Sequence, residues 1–214
     1  MSPRDANGHR RGHIRADLKL IAQMIEPGSR VLDVGCGDGA LLELLVREKN
    51  AVGRGVEISQ AGVNACVSNG LSAVQGDADT DLKNYPSNAF DYVVLSQTLQ
   101  ATRQPRVVLE DLVRLGRRAI VSFPNFGHWR VRGSLLFQGC MPMSRALPDR
   151  WYETPNIHLC TIHDFRDLCH DSGIDIEKSL ALNNAGYDKR IITPRWANLL
   201  AEHGLFVLRQ AQDR

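Results

Sequence analysis

The apolar positions of this chain switch period several times, and the switches mark its elements. Ile14, Leu18, Ile21, Ala22 and Ile25 recur at helical spacing until Glu26-Pro27-Gly28 ends the pattern, which predicts an amphipathic first helix. The run Val31-Leu32-Asp33-Val34 then reads as a buried strand that breaks into Gly35, Gly37 and Gly39, after which Leu41, Leu42, Leu44, Leu45 and Val46 resume the helical period. Further strands are predicted at 52–58, 90–97, 119–123, 174–182 and 204–209, with a short strand and the turn after it within 74–78 and a helix over about 161–172. Strands alternating with helices specify an α/β, doubly wound domain, its mostly parallel sheet of seven strands covered on both faces. Residues 125–160 follow neither period. A loop of that length is usually functional, and this one holds Trp129, Phe137, Met141, Met143, Trp151 and Tyr152 among Arg130, Arg132, Arg145 and Arg150. It is read as a lid or interaction insertion, the alternative being that its aromatics cap the sheet edge as core.

Composition narrows the class. Hydrophobic residues are 43% and charged residues 23% of the 214, as in ordinary globular proteins, and this length suits one core burying roughly seventy per cent of the unfolded surface. A formal charge of +2 is too small to hold a polyanion, so no nucleic-acid partner is expected. Arg4, Arg10, Arg11 and Arg15 cluster near the start with Asn7, Gly8 and Gly12 and are read as solvated; residues 1–13 are taken as a flexible basic tail and 14–214 as a single domain. Five scattered cysteines without a C-x-x-C pair fit a reducing compartment. No apolar stretch approaches the ~20 residues that span a bilayer, and no basic-then-apolar leader opens the chain. A cytoplasmic protein with no membrane partner is expected, and self-association is left open.

The candidate chemistry concentrates at the first strand-to-helix turn. Glycines at alternate positions let the backbone turn sharply and let a ligand lie against main-chain N–H groups. Gly35-x-Gly37-x-x-Ala40 also fits a dinucleotide fingerprint. Charge separates the two ligands, because Asp33 at the strand end and Asp38 in the turn would repel a pyrophosphate and suit a cation. S-adenosylmethionine (SAM) has a sulfonium and an ammonium and no phosphate, so SAM or S-adenosylhomocysteine is the expected cofactor.

The run Asp33-x-Gly35-x-Gly37-x-Gly39 resembles the first motif of the class I SAM-dependent methyltransferases, and later landmarks follow in that family's order. The resemblance implies a Rossmann-like sheet with an antiparallel last strand. It also implies a cofactor site: Asp33, Gly35, Cys36, Gly37 and Gly39 at the turn, with the Cys36 thiol packed rather than nucleophilic; Glu57 on the ribose hydroxyls beside Ile58; Asp77 and Ala78 at the adenine; and Ser96 and Gln97 over the cofactor.

A closer likeness lies in Leu95-Ser96-Gln97-Thr98-Leu99-Gln100-Ala101, Ser122-Phe123-Pro124-Asn125-Phe126-Gly127-His128-Trp129 and Trp151-Tyr152-Glu153-Thr154-Pro155-Asn156-Ile157-His158. These resemble segments of the bacterial MetW family, over nearly the whole chain. The likeness implies a role in methionine biosynthesis, as accessory or regulatory partner of homoserine O-acyltransferase, which activates homoserine for sulfur incorporation. The alternative is a SAM-dependent methyltransferase acting on a small-molecule acceptor. No catalytic residue is assigned, since Gln97 and Gln100 cannot act as bases near neutral pH. His128 is read either as a base at the carboxyl edge of the sheet or as a histidine satisfied by its own loop. His158, Cys160, His163, Cys169 and His170 do not match common zinc spacings, and no metal is expected.

Overall fold

The first helix forms where its apolar period places it: α1 (Ala16–Met24) buries Leu18, Ile21 and Ala22, and its chain leaves through the buried Ile25. A computed structural model of the chain describes residues 15–144, 146–183 and 194–211; the basic tail and Arg145 lie outside the described residues. Seven strands follow, β1 (Arg30–Val34), β2 (Val52–Glu57), β3 (Ala73–Gln75), β4 (Phe90–Ser96), β5 (Gly116–Pro124), β6 (Ile174–Leu182) and β7 (His203–Gln210). They form one sheet in the order β3-β2-β1-β4-β5-β7-β6. Strands β1 to β5 pair in parallel, while β7 runs antiparallel to β5 and β6. The strand order reverses between β1 and β4, and in such sheets the crevice beyond the carboxyl ends at that point receives ligands.

Alternate strand residues serve opposite layers. Leu32, Val34, Val93, Leu95, Val121 and Phe123 pack with α4 (Pro105–Leu115) and α6 (Ile162–Asp171). Val31, Val94 and Ile120 instead meet α1 and α2 (Ala40–Lys49). Each such side chain contributes about 1.5–3 kcal/mol by leaving water, so a one-residue slip of register would reverse every assignment at once. On the α6 side, the Phe206 ring stacks on Phe123 at 5.8 Å and meets Phe165 at 4.6 Å. Helix α6 begins in a capping box, Asp164 N donating to Thr161 Oγ1 and Thr161 N to Asp164 Oδ2.

The third strand ends at Gln75 and the expected turn follows it: Asp77 N donates to Asp81 Oδ2 at 2.8 Å and Asp79 N to Asp77 Oδ1 at 2.9 Å. Residues 125–160 are not irregular throughout, since α5 (Trp129–Gly133) continues into a wide helical turn, Ser134–Gln138. Nor do their aromatics cap the core: Trp129 is 50%, Phe137 83%, Trp151 69% and Tyr152 57% exposed. The remaining helices are α3 (Gln60–Ser68) and α7 (Pro194–Leu200). Among the described residues, no helix is long and apolar enough to cross a membrane.

Candidate functional site

The turn after β1 is built by its glycines. Gly35 has φ +73°, and a Cβ there would lie 2.5 Å from Thr98 Oγ1; Gly37 has φ +57° and open space where its Cβ would be. Of the five amides from Gly35 to Gly39, four already serve protein acceptors. Gly35 N and Cys36 N donate to Val56 O, Gly37 N to Glu57 Oε2 at 2.9 Å, and Gly39 N to Cys36 O. Most main-chain N–H groups of the turn are thus already engaged within the fold. The turn offers shape and carboxylates instead of a row of donors, which disfavours a pyrophosphate further.

Asp33 is not at the lip of the turn. It is 3% exposed on the α1 side of β1, because the penultimate position of a central strand faces the layer below. Burial pushes its carboxyl up to about 7, against the opposing pull of the Arg15 guanidinium and with help from the Glu57 charge. Glu57 Oε1 accepts from Ser59 N at 2.9 Å while Oε2 holds Gly37 N, so the carboxylate bridges the start of α3 and the glycine turn, and both oxygens retain lone pairs. Helix α3 approaches closely enough that a Cβ at Gly62 would lie 2.7 Å from Glu57 Cγ.

Beside this turn lies a cavity of about 150 Å³. Gly35, Ile58, Asp77 and Ala78, all singled out in the sequence, line it together with Thr98, Thr102 and Arg103, which were not. Asp79 fixes the far wall, its carboxylate accepting from Arg103 N and Gln104 N. The walls are mostly apolar with Asp77 at the rim, a shape that suits a flat heteroaromatic ring. Cys36 is not on that wall; its thiol is 3.8 Å from Cys66 Sγ in a buried pocket with Leu42, and burial raises it above the ordinary thiol range, so packing is its role.

Ser96 and Gln97 are occupied by α1. Arg15 Nη2 donates to Ser96 Oγ at 2.5 Å and to Asp17 Oδ2 at 3.1 Å, and Gln97 Nε2 reaches the same Asp17 oxygen at 3.3 Å. Gln97 holds the left-handed conformation at φ +58°, a strained position for a residue with a side chain. Also buried at this edge is His203, whose imidazole burial keeps below its usual pKa although Asp17 and Glu202 oppose this. Asp17 and His203 carried no sequence signal, because a polar residue in a first helical turn becomes a buried partner only once β4 and β7 arrive beneath it.

The other candidates separate. His128 is the N-cap of α5, its Nδ1 accepting from Arg130 N at 3.4 Å, with its pKa lowered by burial; this is the loop-satisfied histidine of the two readings. Gln100 is a tie: its Nε2 donates to Pro124 O at 3.0 Å and its main-chain oxygen accepts from Ile157 N and His158 N at 2.8 and 2.9 Å. Cys169 lies in the core while His163 and His170 are exposed on the same helix, so those three point apart.

Comparison with known proteins agrees with this architecture. The family model of methionine biosynthesis protein MetW matches residues 15–208. A bifunctional methionine biosynthesis protein MetXA/MetW of Rhodopirellula baltica is 33% identical over 176 residues, which is 78% of this chain and 28% of that relative's length. This chain thus spans under a third of the curated relative. Among solved structures, a SAM-dependent methyltransferase of Mesorhizobium loti superposes with TM-score 0.67 at 18% identity, covering 92% of this chain and 98% of that one. One of Archaeoglobus fulgidus gives 0.67 at 16%, covering 91% and 92%. The [4+2]-cyclase SpnF gives 0.65 at 18%, covering 95% and 86%. These likenesses show the class I methyltransferase fold, and the cyclase among them illustrates that one fold carries unlike chemistries.

Proposed function

The chain belongs to the MetW family, and on that premise we propose that it binds SAM or S-adenosylhomocysteine and acts as an accessory or regulatory partner of homoserine O-acyltransferase. The observation that carries the partnership is the relative that joins MetXA and MetW in one polypeptide, since fused functions operate at high effective concentration. The cofactor reading rests on the turn. Glu57 is set to accept from the ribose hydroxyls, Ile58, Asp77 and Ala78 to receive the adenine, and Gly37 leaves room for the ligand. Asp33 and Arg15 orient the charged methionine end.

When bound, SAM supplies a sulfonium methyl; this chain's own residues supply position. The second reading, methyl transfer to a small acceptor, is favoured by the fold but meets an obstacle at the carboxyl end of β4. An acceptor arriving there would have to displace the Arg15–Ser96 and Gln97–Asp17 contacts. A ligand-reporting role asks only that SAM bind the free and the partnered chain unequally.

The test is co-expression with the homoserine O-acyltransferase of the same organism, with and without SAM. A co-purifying complex with higher acyltransferase activity than the enzyme alone is expected, and calorimetry on the free chain should show SAM-type ligands binding more tightly than NAD. If no complex forms at micromolar concentrations and the chain instead converts SAM to S-adenosylhomocysteine with a pathway thiol or acid, the methyltransferase reading replaces this one.

A further inference from the structure

We propose that the exposed apolar face of residues 129–157 is the surface on which the acyltransferase docks. This inference rests on the partnership above and adds its location. Exposed large apolar side chains occur elsewhere, as Val46 on α2, Val107 on α4 and the pair Trp196 and Leu200 on α7, but residues 129–157 hold more of them than any other described stretch. Trp129, Leu136, Phe137, Met143, Trp151 and Tyr152 are each half or more exposed, Phe137 at 83% and Leu136 at 76%. Large apolar side chains gathered exposed in one segment point to an interaction site.

Three aromatic members of the face, Trp129, Trp151 and Tyr152, are held by neighbours. The Arg130 guanidinium lies 5.3 Å from the Trp129 ring centroid; Trp151 meets Tyr152 edge-on at 5.5 Å, and Arg150 Nη1 donates to Tyr152 Oη at 2.6 Å. Such side chains lose little freedom on binding, which is why aromatic and arginine anchors dominate interface energies. Arg130, Arg132 and Arg150 stand exposed among these side chains together with Asp149 and Glu153, so the complementary patch on the acyltransferase is apolar with charges of both signs at its margin.

The base of the face is the wall of the cofactor cavity. Ile157 N and His158 N donate to Gln100 O, and the His158 ring lies 3.3 Å from Arg103 O, while Ala101, Thr102 and Arg103 line the cavity on the other side. A partner seated on residues 129–157 therefore leans on the same short turn that a bound ligand touches, the contiguity that coupling between two ligands needs.

The experiment measures affinity for the purified acyltransferase by calorimetry, comparing the unsubstituted chain with Phe137→Ser, Trp151→Ala and, as a distant control, Val46→Ser on α2. Because the three side chains are solvent-exposed, melting temperatures should be unchanged. Phe137→Ser and Trp151→Ala are expected to weaken the complex at least tenfold and Val46→Ser less than twofold. The surface assignment is overturned if both face variants bind within twofold of the unsubstituted chain. It is equally overturned if they leave the complex intact while dispersing a self-associated form, or while releasing the chain from anionic phosphatidylserine vesicles. A complex that fails to form even with the unsubstituted chain overturns the partnership itself.

Discussion

The glycine turn of residues 34–40 and the segment of residues 125–160 meet at the same edge of the sheet and are held there by opposite means. The turn is held by its own backbone, four of its amides bonded within the fold and Gly35 closed against Thr98. The segment is pinned at its two ends: the buried Asn125 amide donates to Asn198 O and Ala201 O at one end, and the main-chain oxygen of Gln100 accepts from Ile157 N and His158 N at the other. Between the pins most of its large side chains, Val131 excepted, face water. Placement of the turn is thus part of folding, whereas the face of the segment contributes little to stability and is free to serve association. Substitutions in the two regions should therefore divide cleanly between stability and binding.

The largest effect should come from beneath the turn. The folded-state carboxyl of Asp33 ionises near pH 7 instead of 3.8, so between those values the folded chain holds a proton that the unfolded chain has released. Stability is then fully present below about pH 4, declines as pH rises toward 7, and is flat above, a loss of at most on the order of 4 kcal/mol. Denaturant titrations from pH 4 to 8 should show this decline, and Asp33→Asn should remove it and leave only the opposite, rising contribution of His128 and His203, whose burial lowers their pKa. A decline surviving in Asp33→Asn would assign it to another group. A cationic ligand held by ionised Asp33 should also bind more tightly above pH 7 than below it.

Next come the glycines, which sharpen the comparison within the turn. Gly35→Ala combines a left-handed backbone with a clash on Thr98 and should cost roughly 2–4 kcal/mol in chemical unfolding. Gly37→Val meets only open space, so its cost is the strain of its backbone, about 1–2 kcal/mol, while ligand binding is lost. Equal destabilisation by the two would break the distinction between a packed and an open glycine.

Glu57→Ala should weaken ligand binding by roughly 1.5–3 kcal/mol, the scale of hydrogen bonds to a charged group; unchanged affinity would move the ribose contact elsewhere. The smallest effect belongs to the segment. Leu136→Ser is expected to change unfolding free energy by less than about 0.5 kcal/mol, because that side chain already faces solvent. A cost of several kcal/mol would mean that the face packs against the domain, and the contrast between the two regions would fail.

Much of the fold was legible along the chain because its signals are local. A period of two or 3.6 positions, the cap at Thr161, the break at Glu26-Pro27-Gly28 and the alternate glycines each act within a few residues, and the elements they predict at 161–172 and 174–182 match α6 and β6 closely. The turn expected within 74–78 is made by short-range bonds around Asp77 and Asp81, and β3 ends at Gln75 before it. The segment of residues 125–160 hid its helix because a five-residue helix and one wide turn are too brief to establish a period.

By itself, then, the sequence determined the α/β order of elements, the glycine turn and the carboxylates near it, and the family to which the chain belongs. Only the tertiary structure decided what those carboxylates and polar residues face. Asp33 became a buried acid because β1 lies between β2 and β4 under α1, and Ser96 became a partner of Arg15 and Asp17 across about eighty residues of chain. Burial and charge environment are sums over neighbours brought together by packing, and no local pattern carries them. The same reason separates the exposed Trp129 and Trp151 from the buried Phe123 and Phe165: all four are large and apolar in sequence, and only the arrangement of layers decides which of them meets water.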